Sequence, residues 1–198
     1  MLSKLKELLK SEMFVKYLKN TSWLMAERVL KIGVGFIVLI FLVRYLGPEN
    51  FGLLSYVQSF VGVFVAFTTL GLEVILVREL TKNKTENRKI LGTGLTLKLV
   101  ASIIAIVIVL TVGFSIKDHD VRLLTNIVSI TLLFQSLNLG IDTYFQANIK
   151  SKITVISNTI AFIISSFLKL TLVYINAELV YFAYALVFDS LIITIAYL

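Results

Sequence analysis

Arg44-Tyr45-Leu46-Gly47-Pro48-Glu49-Asn50-Phe51-Gly52 is a short polar hinge between two long apolar runs, and it holds the only proline of the chain. Gly47 can take the left-handed conformation that ends a helix. Pro48 then pre-sets the dihedral of a helix's first turn, where its missing N–H costs nothing, and Glu49 meets the positive end of the new helix dipole. The block therefore reads as a tight helical hairpin over residues 23–80.

The composition around that hinge says where the hairpin sits. The 198 residues are 58% hydrophobic and 16% charged, with a mean hydropathy of +0.91. A soluble domain of this size cannot hide so much apolar surface, so lipid must be the solvent for much of the chain. The net charge of +7 comes from lysines and arginines placed mainly between apolar runs. That placement points to phospholipid headgroups as partners rather than to nucleic acid. There is no cysteine, which excludes a disulfide framework, thiol ligands and thiol redox chemistry. The first twenty residues are too charged for a cleavable signal peptide, leaving the first spanning helix to direct insertion.

In chain order, residues 1–21 form a candidate amphipathic helix. Leu2, Leu5, Leu9, Met13 and Tyr17 recur at helical spacing among Lys4, Lys6, Lys10, Lys16 and Lys19. Such a helix lies in the headgroup plane with its lysine stems snorkelling to water; the competing reading is a frayed, solvated tail. Six apolar runs follow, at 22–46, 49–77, 90–115, 121–148, 153–175 and 178–198. Each is long enough to cross roughly 30 Å of hydrocarbon. They lack the period-two alternation of barrel strands, so the expected fold is all-α: a polytopic membrane unit of six helices, 22–198, preceded by the interfacial helix. The connections are short enough to make successive helices antiparallel neighbours.

Orientation follows from the basic residues. With the N-terminus in the cytoplasm, that side receives twelve Lys and Arg, including Arg78, Lys82, Lys84, Arg88, Lys89, Lys150 and Lys152. The opposite side receives three: Arg44, Lys117 and Arg122. The expected location is the cytoplasmic membrane, multi-pass, with the hinge outside. The last run reaches Leu198 with no polar flank, as in the front part of something longer or a truncated product.

Charges inside spans cost about 2.5–3.5 kcal/mol each on insertion scales, so their placement is informative. Glu27, Arg28 and Lys31 share one arc of the first span, and Ser55, Ser59, Gly62, Ala66, Thr69 and Glu73 form a small and polar stripe on the second. The third carries Gly94, Lys98 and Ser102 together. Thr131, Gln135, Asn138, Asp142 and Gln146 line the fourth almost end to end. Thr154, Asn158, Ser165 and Lys169 align on the fifth, and Asp189 stands near the middle of the sixth. Small and hydroxyl residues can simply pack helices together, whereas a stripe ending in a carboxylate wants a hydrated cavity. For Lys98 and Lys169, near opposite ends of their spans, snorkelling to the interface is the competing reading. The span charges balance, four basic against four acidic, so no anion-selective cavity follows from them.

Enzyme chemistry finds little support. There is no nucleophile elbow, no H-E-x-x-H and no phosphate-cradling glycine loop. Lys117-Asp118-His119-Asp120 holds the single histidine in an external turn; adjacent residues point apart and no fourth ligand is evident, so it reads as a solvated loop rather than a metal site. Gly140-Ile141-Asp142 loosely suggests an intramembrane aspartyl site, but a second aspartate in a matching context is missing. No cofactor is expected.

Glu27-Arg28-Val29, the hinge block, Leu70-Gly71-Leu72-Glu73 and Arg78-Glu79-Leu80 together resemble the polysaccharide-biosynthesis flippases of the multidrug/oligosaccharidyl-lipid/polysaccharide exporter superfamily. Phe134-Gln135 and Asp142-Thr143-Tyr144-Phe145-Gln146-Ala147, followed by Lys150 and Lys152, are similar to the fourth span of that family. The resemblance implies one lobe of a two-lobe, inverted-V transporter that flips polyprenyl-pyrophosphate-linked oligosaccharide by alternating access. Family members carry about twice as many spans, so the implied partner is a missing second six-helix lobe or a second copy. On that reading Arg28, Lys31, Lys98, Gln135, Asn138, Asp142 and Lys169 line the substrate cavity. Arg28, Lys31 and Lys98 would meet the pyrophosphate, Lys31→Ala or Lys98→Ala would impair glycan export, and Glu73, Asp142 and Asp189 could couple an ion. The competing readings are a multidrug/cation antiporter of the same superfamily and a non-transporting, truncated membrane scaffold.

Overall fold

The computed structural model describes residues 12–69, 71–82, 86–148 and 151–197, with side chains from residue 21 onward, Ser151 aside. Helices account for nearly all of them, and no strand occurs among the described residues. The elements are α1 (Glu12–Thr69), α2 (Leu72–Lys82), α3 (Asn87–Gly113), α4 (His119–Ser129), α5 (Thr131–Ala147), α6 (Ser151–Tyr174) and α7 (Leu179–Ala196). The all-α membrane class is therefore as expected. Residues 1–11 of the expected interfacial helix, Lys84 and Lys150 of the basic loops, and Leu198 lie outside the described residues. Residues 12–20 continue into the first span without a break.

Five stretches are long and apolar enough to cross a membrane, rather than six separate ones. The difference is at the hinge, where Thr21–Lys82 is a single stretch. Helical geometry runs on through Pro48, and only Gly47 departs from it, at φ 72° and ψ 172°. Its φ is positive as expected, but its ψ is extended rather than left-handed helical, a region that side-chain-bearing residues essentially do not enter. That one residue is enough to turn the chain back. Lys31 and Gly62 line the same cavity, whereas a straight helix would hold them about 46 Å apart.

Two further breaks divide expected spans. The 49–77 run stops at Thr69, and Gly71, at φ 62°, starts the separate short helix α2, which stays helical to Lys82 where a loop was expected. The 121–148 run is two helices, α4 and α5, meeting at Ile130. There the Ser129 hydroxyl donates to Asn126 O and the Thr131 hydroxyl to Val128 O, each at 2.7 Å. The Ile130 N–H donates to Ile127 O, and the Leu133 N–H to Ile130 O, both at 3.2 Å. Hydroxyls bonding back to the preceding turn bend helices, and the three-residue spacing of the backbone bonds tightens the turn further.

Turns close the hinge end. Asn176, at φ 54°, ends α6 in a Schellman motif, with Ala177 N–H donating to Leu172 O at 3.0 Å and Asn176 N–H to Val173 O at 3.3 Å. The Ala177 carbonyl in turn accepts the Tyr45 hydroxyl at 2.9 Å, tying the hinge to the α6–α7 turn. The Asp118 carboxylate caps α4 by accepting from the N–H groups of Asp120 and Val121. A core of Val38, Leu42, Leu46, Leu54, Val57, Val109, Leu124, Leu132, Phe182 and Ala183 fills this half of the bundle. Outward, Phe36, Val63, Phe67, Val74 and Phe167 are more than half exposed, as side chains are when lipid is their solvent. α1 packs on α6 and α3, α3 on α5, and α7 on α6 and α5.

Candidate substrate cavity

A cavity of about 500 Å³ opens where the apolar core stops, between α1, α5, α6 and α7. Val61 and Val128 border it from the core side, Val65, Leu139, Leu186 and Ile193 add further apolar wall, and its polar groups come from Lys31, Gln58, Thr131, Gln135, Asn138, Asp142, Asn158, Asp189, Ser190 and Tyr197. α5 supplies the most regular wall, because Gln135, Asn138 and Asp142 recur at three- and four-residue spacing. α7 is locked to that wall. The Asn138 amide donates to Ser190 O at 2.9 Å, and its carbonyl oxygen accepts the Thr194 hydroxyl at 2.9 Å. α6 is locked to α7 by Ser157 donating to Ala196 O at 2.9 Å and by the Tyr197 hydroxyl donating to Asn158 Oδ1 at 3.1 Å. These bonds satisfy polar groups that lipid could not, which fixes how the helices are rotated.

Of the residues singled out from sequence, Lys31, Gln135, Asn138, Asp142 and Asp189 line this cavity, and Arg28, Glu73, Lys98 and Lys169 do not. Arg28 is exposed, because one residue of helix rotation separates it from buried Glu27. Lys169 neither snorkels nor lines the cavity: its ammonium reaches inward to Asp189 Oδ2. Lys98 is completely buried away from the cavity, with its ammonium 3.9 Å from Glu73 Oε1. The separate helix α2 brings Glu73 to it, and α5 packs on its stem at Gly140, where an added β-carbon would stand in ordinary contact with the Lys98 stem at 3.6 Å but would press on Leu95 at 2.6 Å. Lys31 lies 2.6 Å from Glu27 Oε1. Among the described residues, no unpaired cation lines the cavity.

Gln58 and Gln135 bring amide groups that both donate and accept, and the two carboxylates add acceptors. Asp142 Oδ2 accepts from the Gln146 amide at 2.8 Å, while Asp142 Oδ1 and Asp189 Oδ1 are buried without a hydrogen bond of normal geometry. Such a site suits hydroxyl-bearing cargo, a proton or a small cation. Of the small and polar stripe expected on the second span, Gly62 lines the cavity, beside Gln58, Val61 and Val65, which lie outside that stripe, and Ser59 and Ala66 do not line it. Ser190 and Tyr197 line the cavity and Thr194 bonds to Asn138; with Asp189 they fall on one side of α7 and the residue after it, a signal present in the sequence.

An all-helical bundle of this hydropathy, closed at one end by an apolar core and hollowed by a polar cavity, is a multi-pass membrane protein. The family described as polysaccharide biosynthesis protein matches residues 17–198, and the chain belongs to that family. No curated protein and no solved structure matches it.

Proposed function

We propose that the protein is a lobe of a flippase that moves polyprenyl-pyrophosphate-linked oligosaccharide across the cytoplasmic membrane by alternating access. It would work with a second six-helix lobe or a second copy of itself. The supporting observation is a cavity of amides, hydroxyls and carboxylates inside a chain that is otherwise lipid-facing and belongs to a polysaccharide biosynthesis family. On this reading the cargo divides between two places, since Lys31 is paired and Lys98 and Lys169 stand outside the cavity. Sugar hydroxyls are taken by Gln135, Asn138 and Asp142, and exposed Arg28, one turn before Lys31, meets the pyrophosphate at headgroup depth. Asp142 and Asp189 carry the coupled proton or cation. In vesicles loaded with lipid-linked oligosaccharide, the reconstituted protein should expose the glycan to an external glycosidase. Asp142→Asn should slow this about tenfold, the loss of one charge-assisted contact. Exposure no faster than in protein-free vesicles sinks the reading in which a second copy of the chain completes the transporter.

The N-terminus is proposed to be cytoplasmic, on the strength of the basic loops at 78–89 and 150–152. The chain has no cysteine of its own, so single introduced cysteines report sides directly. In intact cells an impermeant maleimide should label Lys117→Cys, in the α3–α4 turn, and leave Arg88→Cys unlabelled. The reverse pattern overturns the orientation.

A further inference from the structure

Two clefts on the outside of the bundle, at the hinge end and away from the polar cavity, meet at Tyr184. The larger, about 410 Å³, runs between α6 and α7 and is walled by Leu168, Leu172, Phe188 and Leu191, with no charged side chain among its lining residues. It opens sideways toward lipid, since Tyr181 and Tyr184 on its rim are 55% and 54% exposed. The smaller, about 310 Å³, lies against the first two turns of α4 and holds Arg122, Asn126 and His119. A trough for hydrocarbon therefore ends, at its headgroup end, in a pocket of cationic and amide donors.

The charge at that pocket is uncommitted. Asp118, the acid one turn before Arg122, accepts the N–H groups of Asp120 at 2.9 Å and Val121 at 3.2 Å as the α4 cap. Exposed Asp120 faces His119 Nδ1 at 3.6 Å. No described carboxylate lies within salt-bridge reach of the Arg122 guanidinium. An unpaired arginine beside an apolar trough complements a phosphodiester with an attached acyl chain, since a guanidinium binds phosphate oxygens through two parallel N–H bonds. Tyrosines at the junction are the side chains that settle at the boundary between headgroup and hydrocarbon.

We propose that a membrane phospholipid occupies these joined clefts, its phosphodiester on Arg122 and Asn126 and one acyl chain along the α6–α7 trough. The site stands apart from the substrate cavity and does not depend on the transport reading. The full chain, purified in mild detergent and examined by native mass spectrometry, should retain one phospholipid. Arg122→Gln should reduce that retention about tenfold, while Arg122→Lys keeps most of it. Arg44→Gln, which removes an exposed charge at the same end but outside both clefts, should leave it unchanged. Leu191→Trp, which fills the trough while Arg122 is intact, should expel the lipid as well, so a misfolded Arg122 variant would not leave the question open. Equal retention in Arg122→Gln and wild type, equal loss in Arg44→Gln, or a polyprenyl phosphate as the retained molecule overturns the proposal.

Discussion

Lys169→Ala should destabilise the purified protein by about 3 kcal/mol, the low end of what stranding one member of an ion pair inside a protein costs, since this pair is only partly buried. For a chain of this length that corresponds to a fall of roughly 10 °C in the unfolding midpoint measured in detergent. Lys169 and Asp189 are each 22% exposed, and each neutralises the other. The two deletions are not equivalent. Asp189 lies ten residues into α7, about 15 Å from its start, and cannot reach an interface once its partner is gone. Lys169 lies five residues from the end of α6, about 8 Å, and its long stem can turn outward to the headgroups. Asp189→Asn should therefore cost clearly less than Lys169→Ala. The double variant Lys169→Met with Asp189→Leu should recover most of the loss, because removing both charges also removes their desolvation. Equal effects of the two single variants would mean that the pair is solvated through the cavity and contributes little.

Glu73→Gln should cost about 2 kcal/mol or more, and Lys98→Met should be neutral or stabilising. The asymmetry comes from exposure. The Lys98 side chain is 0% exposed and its ammonium makes no hydrogen bond, so the Glu73 carboxylate at 3.9 Å is its main compensation. Glu73 is 43% exposed and regains water when Lys98 is removed. Lys98→Met keeps the volume of the stem packed against Gly140 while eliminating the buried charge. Thermal unfolding of the two variants side by side checks the sign. The same pair tests a sequence-based expectation, since a lysine that holds cargo would lose export on substitution. From its burial, Lys98→Met should keep export intact.

The fold was legible in the chain to the extent that it is set by local chemistry. The Gly47-Pro48 dipeptide announced the reversal, and hydropathy announced the membrane. Both act through properties of a few adjacent residues: a positive φ with an extended ψ that essentially only glycine adopts, and backbone groups that lipid cannot satisfy. The α5 wall was legible for the same kind of reason, since Gln135, Asn138 and Asp142 stand at helical spacing and no rearrangement of neighbours can separate them. The breaks at Gly71 and Ile130 were less so. A single glycine or a Ser-Thr pair within an apolar run is compatible with a continuous helix, and only packing selects the bent form. α2 is the clearest case: once separate from α1 it packs against α3 and α5 and carries Glu73 away from the cavity to Lys98.

The sequence by itself determined the class, the hairpin and the polar face of α5, because composition and helical period are properties of segments. Only the tertiary structure decided which charge neutralises which. Lys169 and Asp189 are twenty residues apart on different helices, and Glu73 and Lys98 sit on different helices as well. Whether such groups meet depends on the depth and rotation of each helix against the next. Period fixes angles within one helix and leaves the angle between two helices free, and that second angle is set here by the Asn138–Ser190, Ser157–Ala196 and Tyr45–Ala177 hydrogen bonds.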